Sequence, residues 1–263
     1  MSGINATGTQ DYSWLLDSVQ TKKQDSTAHV NYQSNEQDSL AGFIEINANL
    51  KSVLTSYNEA KNAFNSEFKE NMSALSESAK EIEKYSFSVA KEGAITNTET
   101  TDENGIITTK TTYSKDLQSA LDVVNEFVSN YNTSLKFLND NASVSKRVEN
   151  LASVFGDAGY RAANYESIGL FVTSGGMLEI NEEMLANAIV NNPDKVSSIL
   201  GKDGLAGKAE EHVSFANSQA ENLFPSAQKM LGEQLDAASL YTGKAYRNMS
   251  AYANIGNLLN MMF

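Results

Sequence analysis

Residues 166–207, ESIGLFVTSGGMLEINEEMLANAIVNNPDKVSSILGKDGLAG, decide how this chain folds. Ile168-Gly169-Leu170-Phe171-Val172 and Met177-Leu178-Glu179-Ile180 are apolar runs flanking Ser174-Gly175-Gly176, which is the pattern of a hairpin. Asn181 stands where an N-cap belongs, and Glu182 and Glu183 follow in the first turn, where the helix dipole favours negative charge. That helix is expected to end near Asn191. Asn192 then caps a second helix with Pro193 at its first position, where the missing N–H costs no hydrogen bond. Gly201, Gly204 and Gly207 punctuate the exit into a third helix, expected to run to about Leu223 before Pro225 breaks it.

Upstream of this stretch lies the clearest periodic element. Leu117, Leu121, Val124, Val128, Tyr131, Leu135 and Leu138 alternate steps of four and three, thickened by Phe127 and followed at Asn132 by a polar residue. An unbroken a/d seam predicts coiled-coil-like packing on another helix. Its natural partner is a long amphipathic helix from about residue 43. There Leu54, Tyr57, Phe64, Phe68, Leu75, Ala79 and Ile82 recur at near-helical spacing, with Lys61 and Asn71 interrupting the seam. Between the two, Thr- and Ile-rich runs at 94–114 flank Asp102-Glu103-Asn104-Gly105, a hairpin signal that lets the chain reverse. A calcium loop at Asp102 and Asn104 would lack the further carboxylates such a loop needs. One more helix is expected over about 144–163, from Val144, Val148, Leu151 and Phe155. The fold class is therefore mainly α with small β-hairpins (α+β), built on long antiparallel coiled-coil-like helices.

The ends read differently. Residues 1–42 are mostly Ser, Gln, Asn, Asp and Thr, expected to form a flexible tail around an apolar island at Trp14, Leu15 and Leu16. Residues 43–225 form the helical core, and 226–263 an amphipathic helix. That last segment carries Tyr246, Met249, Tyr252, Ile255, Leu258, Leu259, Met262 and Phe263 at spacings that make one strongly apolar face. An apolar face of this extent is expected to pack on something, so the island and this face are the candidate assembly surfaces.

Composition narrows the chemistry. The 263 residues carry a formal charge of −13, from 33 acidic and 20 basic side chains, which disfavours nucleic acid and anionic lipid as partners. No run is apolar and long enough to span a membrane. Without cysteine there is no disulfide, thiol nucleophile or zinc–thiolate site. The first residues lack the pattern of a cleaved signal, so the protein is expected to stay inside or to leave by another route. Only two histidines occur, His29 in the tail and His212 on a helix, and no G-x-S-x-G turn presents a serine. His212 reads as a helix-surface residue, while Glu182-Glu183 and Glu210-Glu211 read as solvated charge. No catalytic residue, cofactor or metal ligand is expected, and the chain is read as a non-enzyme.

One ordered set of residues goes further. Phe127-Val128 and Tyr131-Asn132 on the heptad helix come first, then Ser167-Ile168-Gly169, Gly175-Gly176, Leu178-Glu179-Ile180, Leu185, Ala188, Asn192-Pro193, Val196 and Gly204-Leu205-Ala206. Over about residues 117–215 this resembles the C-terminal leg region of bacterial flagellar filament-capping (hook-associated) proteins. The hairpin at 94–114 stands where that family inserts large β-rich head domains, so the chain reads as a cap reduced to its legs. The resemblance implies a structural protein exported through the flagellar channel without a cleaved signal. Such a protein acts extracellularly, as a homo-oligomer at the filament tip that assists flagellin. Flagellin or other flagellar axial proteins would be its partners. The alternative is a secreted or surface helical adhesin or adaptor with the same leg architecture.

Overall fold

The computed structural model describes residues 36–101, 107–227 and 229. The chain divides into two compact units, Met1–Phe224 and Pro225–Phe263. In the second unit the Lys229 amide donates to the Ser226 carbonyl at 3.0 Å and hydroxyl at 3.3 Å, the pattern of a capped helix start. The remaining structure described below belongs to the first unit.

Helix α1, Glu36–Lys84, runs for 49 residues, which at 1.5 Å per residue is roughly 70 Å. It starts within the segment expected to be a flexible tail. Its buried stripe is Tyr57, Ala60, Phe64, Phe68, Met72, Leu75, Ala79 and Ile82. Ala60 and Met72 thus fill the two places where Lys61 and Asn71 looked like interruptions. The seam is continuous, and both polar residues sit half-buried beside it.

Strands β1, Ile95–Thr101, and β2, Ile107–Tyr113, pair antiparallel from Ile95 opposite Tyr113 to Thr101 opposite Ile107. The tip residues Asp102 and Asn104 lie outside the described residues. Side chains at 96–99 and 109–112 are exposed on both faces of this ribbon. At its base the Ser114 amide donates to the Ala94 carbonyl at 2.8 Å. The Ser114 hydroxyl in turn accepts from the Leu117 amide and caps helix α2, Lys115–Asp140. All seven predicted heptad residues of α2 are buried, between 0% and 5% exposed.

Helices α1 and α2 run in opposite directions. The Asn130 side chain donates to the Ala74 carbonyl and the Ser134 hydroxyl to the Asn71 carbonyl, while further along α2 the Phe137 ring meets Phe64 and Phe68. Positions rise on one helix as they fall on the other.

The single helix expected over 144–163 is instead four pieces. A 3-10 turn, Ala142–Val144, precedes α3, Lys146–Phe155; a second 3-10 turn, Gly156–Arg161, leads to α4, Ala162–Glu166. Ser145 is the reason for the first break, because its extended backbone and its hydroxyl, which accepts from the Val148 amide, begin a new helix there. Gly156 ends that helix, and Gly156 and Gly159 weaken helical propensity through the turn that follows.

The remaining elements follow the expected order. Strands β3, Leu170–Val172, and β4, Leu178–Ile180, form the second antiparallel hairpin. Helix α5, Glu182–Asn191, is capped by the Asn181 side chain, which accepts from the Met184 amide at 3.0 Å. Helix α6, Pro193–Leu200, has proline in its first turn, but the Asn192 side chain makes no capping bond. Its backbone carbonyl does that work, accepting from Lys195 and Val196. Helix α7, Leu205–Gln219, continues in a 3-10 turn, Ala220–Asn222, and packs Leu205, Ala206, Ala209, Val213 and Ala216 inward. Three of these are alanines, which let α7 approach α1 closely. Among the described residues no helix is long and apolar enough to cross a membrane.

Candidate functional site

The residues singled out for assembly, Trp14, Leu15, Leu16, Tyr246, Met249, Tyr252, Ile255, Leu258, Leu259, Met262 and Phe263, all lie outside the described residues. What is described is the junction that sits one helical turn beyond the middle of α2. It gathers Phe127, Tyr131, Asn132 and the second hairpin.

Asn132 is half-buried on α2 and forms both hydrogen bonds that a neighbouring strand would offer to Leu178. Its Nδ2 donates to the Leu178 carbonyl at 2.8 Å, and its Oδ1 accepts from the Leu178 amide at 2.8 Å. A side-chain amide has one donor end and one acceptor end in a plane, which suits it to an unpaired strand edge. One residue earlier, the buried Tyr131 hydroxyl donates to the Phe155 carbonyl, the last residue of α3. Burial raises the Tyr131 hydroxyl's pKa far above that of a free phenol, so it remains a donor. Adjacent residues of one helix thus tie the hairpin and the end of α3 to the core.

Two glycines make the fit possible. Gly169 has φ +89°, and a Cβ there would come within 2.7 Å of the Leu185 amide nitrogen. Gly176, at φ +80°, closes the hairpin turn, and a Cβ there would lie 2.7 Å from the Gly156 Cα. The hairpin tip therefore rests backbone to backbone on the start of the Gly156–Arg161 turn.

Asn132→Ala would leave both Leu178 backbone groups without partners. We expect a loss of about 2 kcal/mol, read from urea denaturation, with Asn132→Asp intermediate because it keeps only the acceptor.

Behind the junction, a cleft of about 200 Å³ opens between α2, the Gly156–Arg161 turn, α4 and α7. Tyr131, Asp157, Arg161, Tyr165, Lys208 and His212 supply its polar lining, with Leu205 and Ala209 as apolar floor; no serine or threonine lines it. His212 is not the surface residue it was expected to be. Its side chain is only 12% exposed, its ring lies 5.3 Å from that of Phe155, and Nε2 is 3.7 Å from an Asp157 carboxylate oxygen. The reason is tertiary, since the Gly156–Arg161 turn folds back over the α7 face that carries it. Nδ1 is buried without a hydrogen-bond partner among the described residues.

Burial lowers the His212 pKa below its ordinary value; Asp157 pulls upward and Lys208 downward. With the folded-state value lowered, the unfolded chain binds more protons at mildly acid pH. Stability therefore falls as pH drops through the unfolded-state value of about 6.5 and levels off below the folded-state value. His212→Gln is expected to flatten this slope between pH ~7.5 and ~5.5, measured by urea midpoints.

Glu210, also expected to be solvated, is half-buried. One carboxylate oxygen lies 3.6 Å from Lys80 on α1, and the other is buried without a hydrogen-bond partner among the described residues. Glu211 does face solvent, and Lys208 at 2.6 Å holds its carboxyl below the usual range. Among the described residues no group of three or more acidic or histidine side chains could hold a metal ion.

No family model matches this chain, and no curated protein or solved structure matches it either.

Proposed function

We propose that this chain is a structural subunit of the bacterial flagellum, similar to a filament-capping protein, which oligomerises at the filament tip and assists the assembly of flagellin. In this reading α1 and α2 form an antiparallel coiled-coil-like stalk. The junction around Asn132 braces it as a leg, and the apolar surfaces at Trp14-Leu15-Leu16 and 246–263 make the contacts. A ring of identical subunits with heterologous contacts is the symmetry such a role requires.

The observation that carries the reading is the double hydrogen bond from Asn132 to Leu178. It joins the two halves of the sequence pattern, Tyr131-Asn132 on the heptad helix and the glycine hairpin some forty residues later, into one packed unit. The resemblance itself is an order of residues along the chain. A physical contact between its parts is what a shared leg architecture would need.

The test is to probe sheared filaments and culture supernatant of the source cells for the protein, with a chain lacking residues 246–263 alongside. Recovery in the filament fraction, lost on truncation, supports the proposal. A protein confined to the cell overturns it. One released into the medium but absent from filaments points to the adhesin reading instead.

A further inference from the structure

We infer that the β1–β2 ribbon is a docking edge for a second copy of this chain, with β2 of one copy adding antiparallel to β1 of the next. The sheet holds these two strands alone among the described residues. Side chains at 96–99 and 109–112 are exposed on both faces, so no apolar layer supports this part of the ribbon. A two-stranded hairpin standing in water is marginal at best, and a third strand is one remedy. The composition nevertheless commits these residues to strand. Ten of the fourteen are threonine or isoleucine, whose β-branched side chains favour an extended backbone.

The second observation is which backbone groups remain free. The Ser114 amide donates to the Ala94 carbonyl at 2.8 Å, and the Thr112 hydroxyl reaches the Thr96 carbonyl at 3.1 Å, so the even-numbered rungs face inward. Rungs of an antiparallel pair alternate. In the continuous register of this ribbon, the amides and carbonyls of Asn97 and Glu99 on β1, and of Thr109 and Thr111 on β2, therefore point outward. Among the described residues nothing donates to them or accepts from them. Devices that blunt such an edge are few, since neither strand contains proline or a bulge and each carries a single charge.

Charge selects the occupant. Glu99 is the one charged residue of β1 and Lys110 the one charged residue of β2. Pairing β1 with another β1, or β2 with another β2, brings like charges together, whereas β2 against a neighbour's β1 brings opposite ones. With a formal charge of −13, two copies repel each other overall, but these two strands together are neutral. Contact of β2 with β1 is heterologous, the kind that can close a ring. Around an axis along the ribbons, each β2 runs antiparallel to the next β1 without any change in orientation. The contact rests on the ring of identical subunits proposed above, to which it adds an interface apart from the apolar ends.

The experiment uses the full chain, whose lack of cysteine lets each single-cysteine variant report one contact. Asn97→Cys and Thr111→Cys are treated with a short bismaleimide, separately and mixed, and sedimentation gives the mass of the untreated chain. Cross-linked pairs are expected in the mixture and not in either variant alone. Asn97→Pro is the second variant, because proline there removes an outward N–H and leaves the ribbon's own ladder in place. It should lower the oligomer mass at an unchanged thermal midpoint. Cross-linking in either variant alone as strong as in the mixture, or an oligomer that survives Asn97→Pro, overturns the inference. An oligomer that survives in this way leaves the ring reading standing on its apolar ends, whereas a chain that stays monomeric at high concentration overturns both.

Discussion

Phe64→Ala is expected to destabilise the first unit by about 3–5 kcal/mol, the range for emptying an aromatic site in a packed core. Phe64 is fully buried on α1. Its ring lies 6.3 Å from Phe68, 5.3 Å from Phe137 on α2 and 5.5 Å from Phe224 beyond α7. Three separate stretches of chain therefore lose a partner at once, and helix backbones on either side cannot collapse far enough to refill the space. Lys61, one turn before it and beside the seam, provides the control: Lys61→Ala should stay within about 0.5 kcal/mol. Urea unfolding followed by circular dichroism measures both. A loss under about 1 kcal/mol at Phe64 would mean that the aromatic cluster is not the core it is taken to be.

The second large effect belongs to Gly207→Ala. The link from α6 to α7 folds so tightly that a Cβ on Gly207 would lie 1.7 Å from the Lys202 carbonyl oxygen. Gly204 is nearly as confined, with the Ile199 carbonyl oxygen 2.0 Å from its Cβ position. The obstacle in each case is backbone, which cannot rotate aside like a side chain. Gly207→Ala should therefore cost about 3 kcal/mol, the upper end for overpacking, and lower the thermal midpoint by roughly 10 °C. Gly159→Ala is the matched comparison, because nothing lies within 4 Å of its Cβ position. That substitution should be near neutral. Equal effects at the two positions would sink the argument from close approach.

These two sites show how unevenly the fold could be read in advance. The glycines at 201, 204 and 207 were legible as a break between helices because glycine interrupts helical propensity locally. That they are pressed against carbonyl oxygens four or five positions earlier was not legible, since the tight path of the link is set by packing. On α1 the apolar period was visible, but Lys61 and Asn71 looked like interruptions. Ala60 and Met72, each next to one of those polar residues, complete the stripe, because the helix turns them rather than Lys61 and Asn71 toward the core. Asn132 was legible as a polar residue after an apolar seam and as part of the Tyr131-Asn132 pair in the resemblance, but not as a clasp. Its partner, Leu178, is 46 positions distant, and no local rule connects an asparagine to a strand edge it has not yet met.

His212 and Tyr165 mark the same boundary within the cleft. Neither belongs to a spacing that signals chemistry, and Arg161 was hidden in a segment expected to be plain helix. The Gly156–Arg161 turn folded all three into one lining. A signal was present in Gly156 and Gly159, whose low helical propensity argued against an uninterrupted helix through residue 163.

Local sequence determined the elements that depend on neighbours within a turn or two. These are the heptad seam of α2, the hairpin glycines, the Asn181 cap and the proline start of α6. Each rests on backbone geometry or a short-range hydrogen bond, which a few consecutive residues specify. The tertiary structure alone decided which polar groups those elements enclose: the Asn132–Leu178 clasp and the burial of His212. Burial and hydrogen-bond partnership are relations between distant segments, and they come into being only when the apolar faces close.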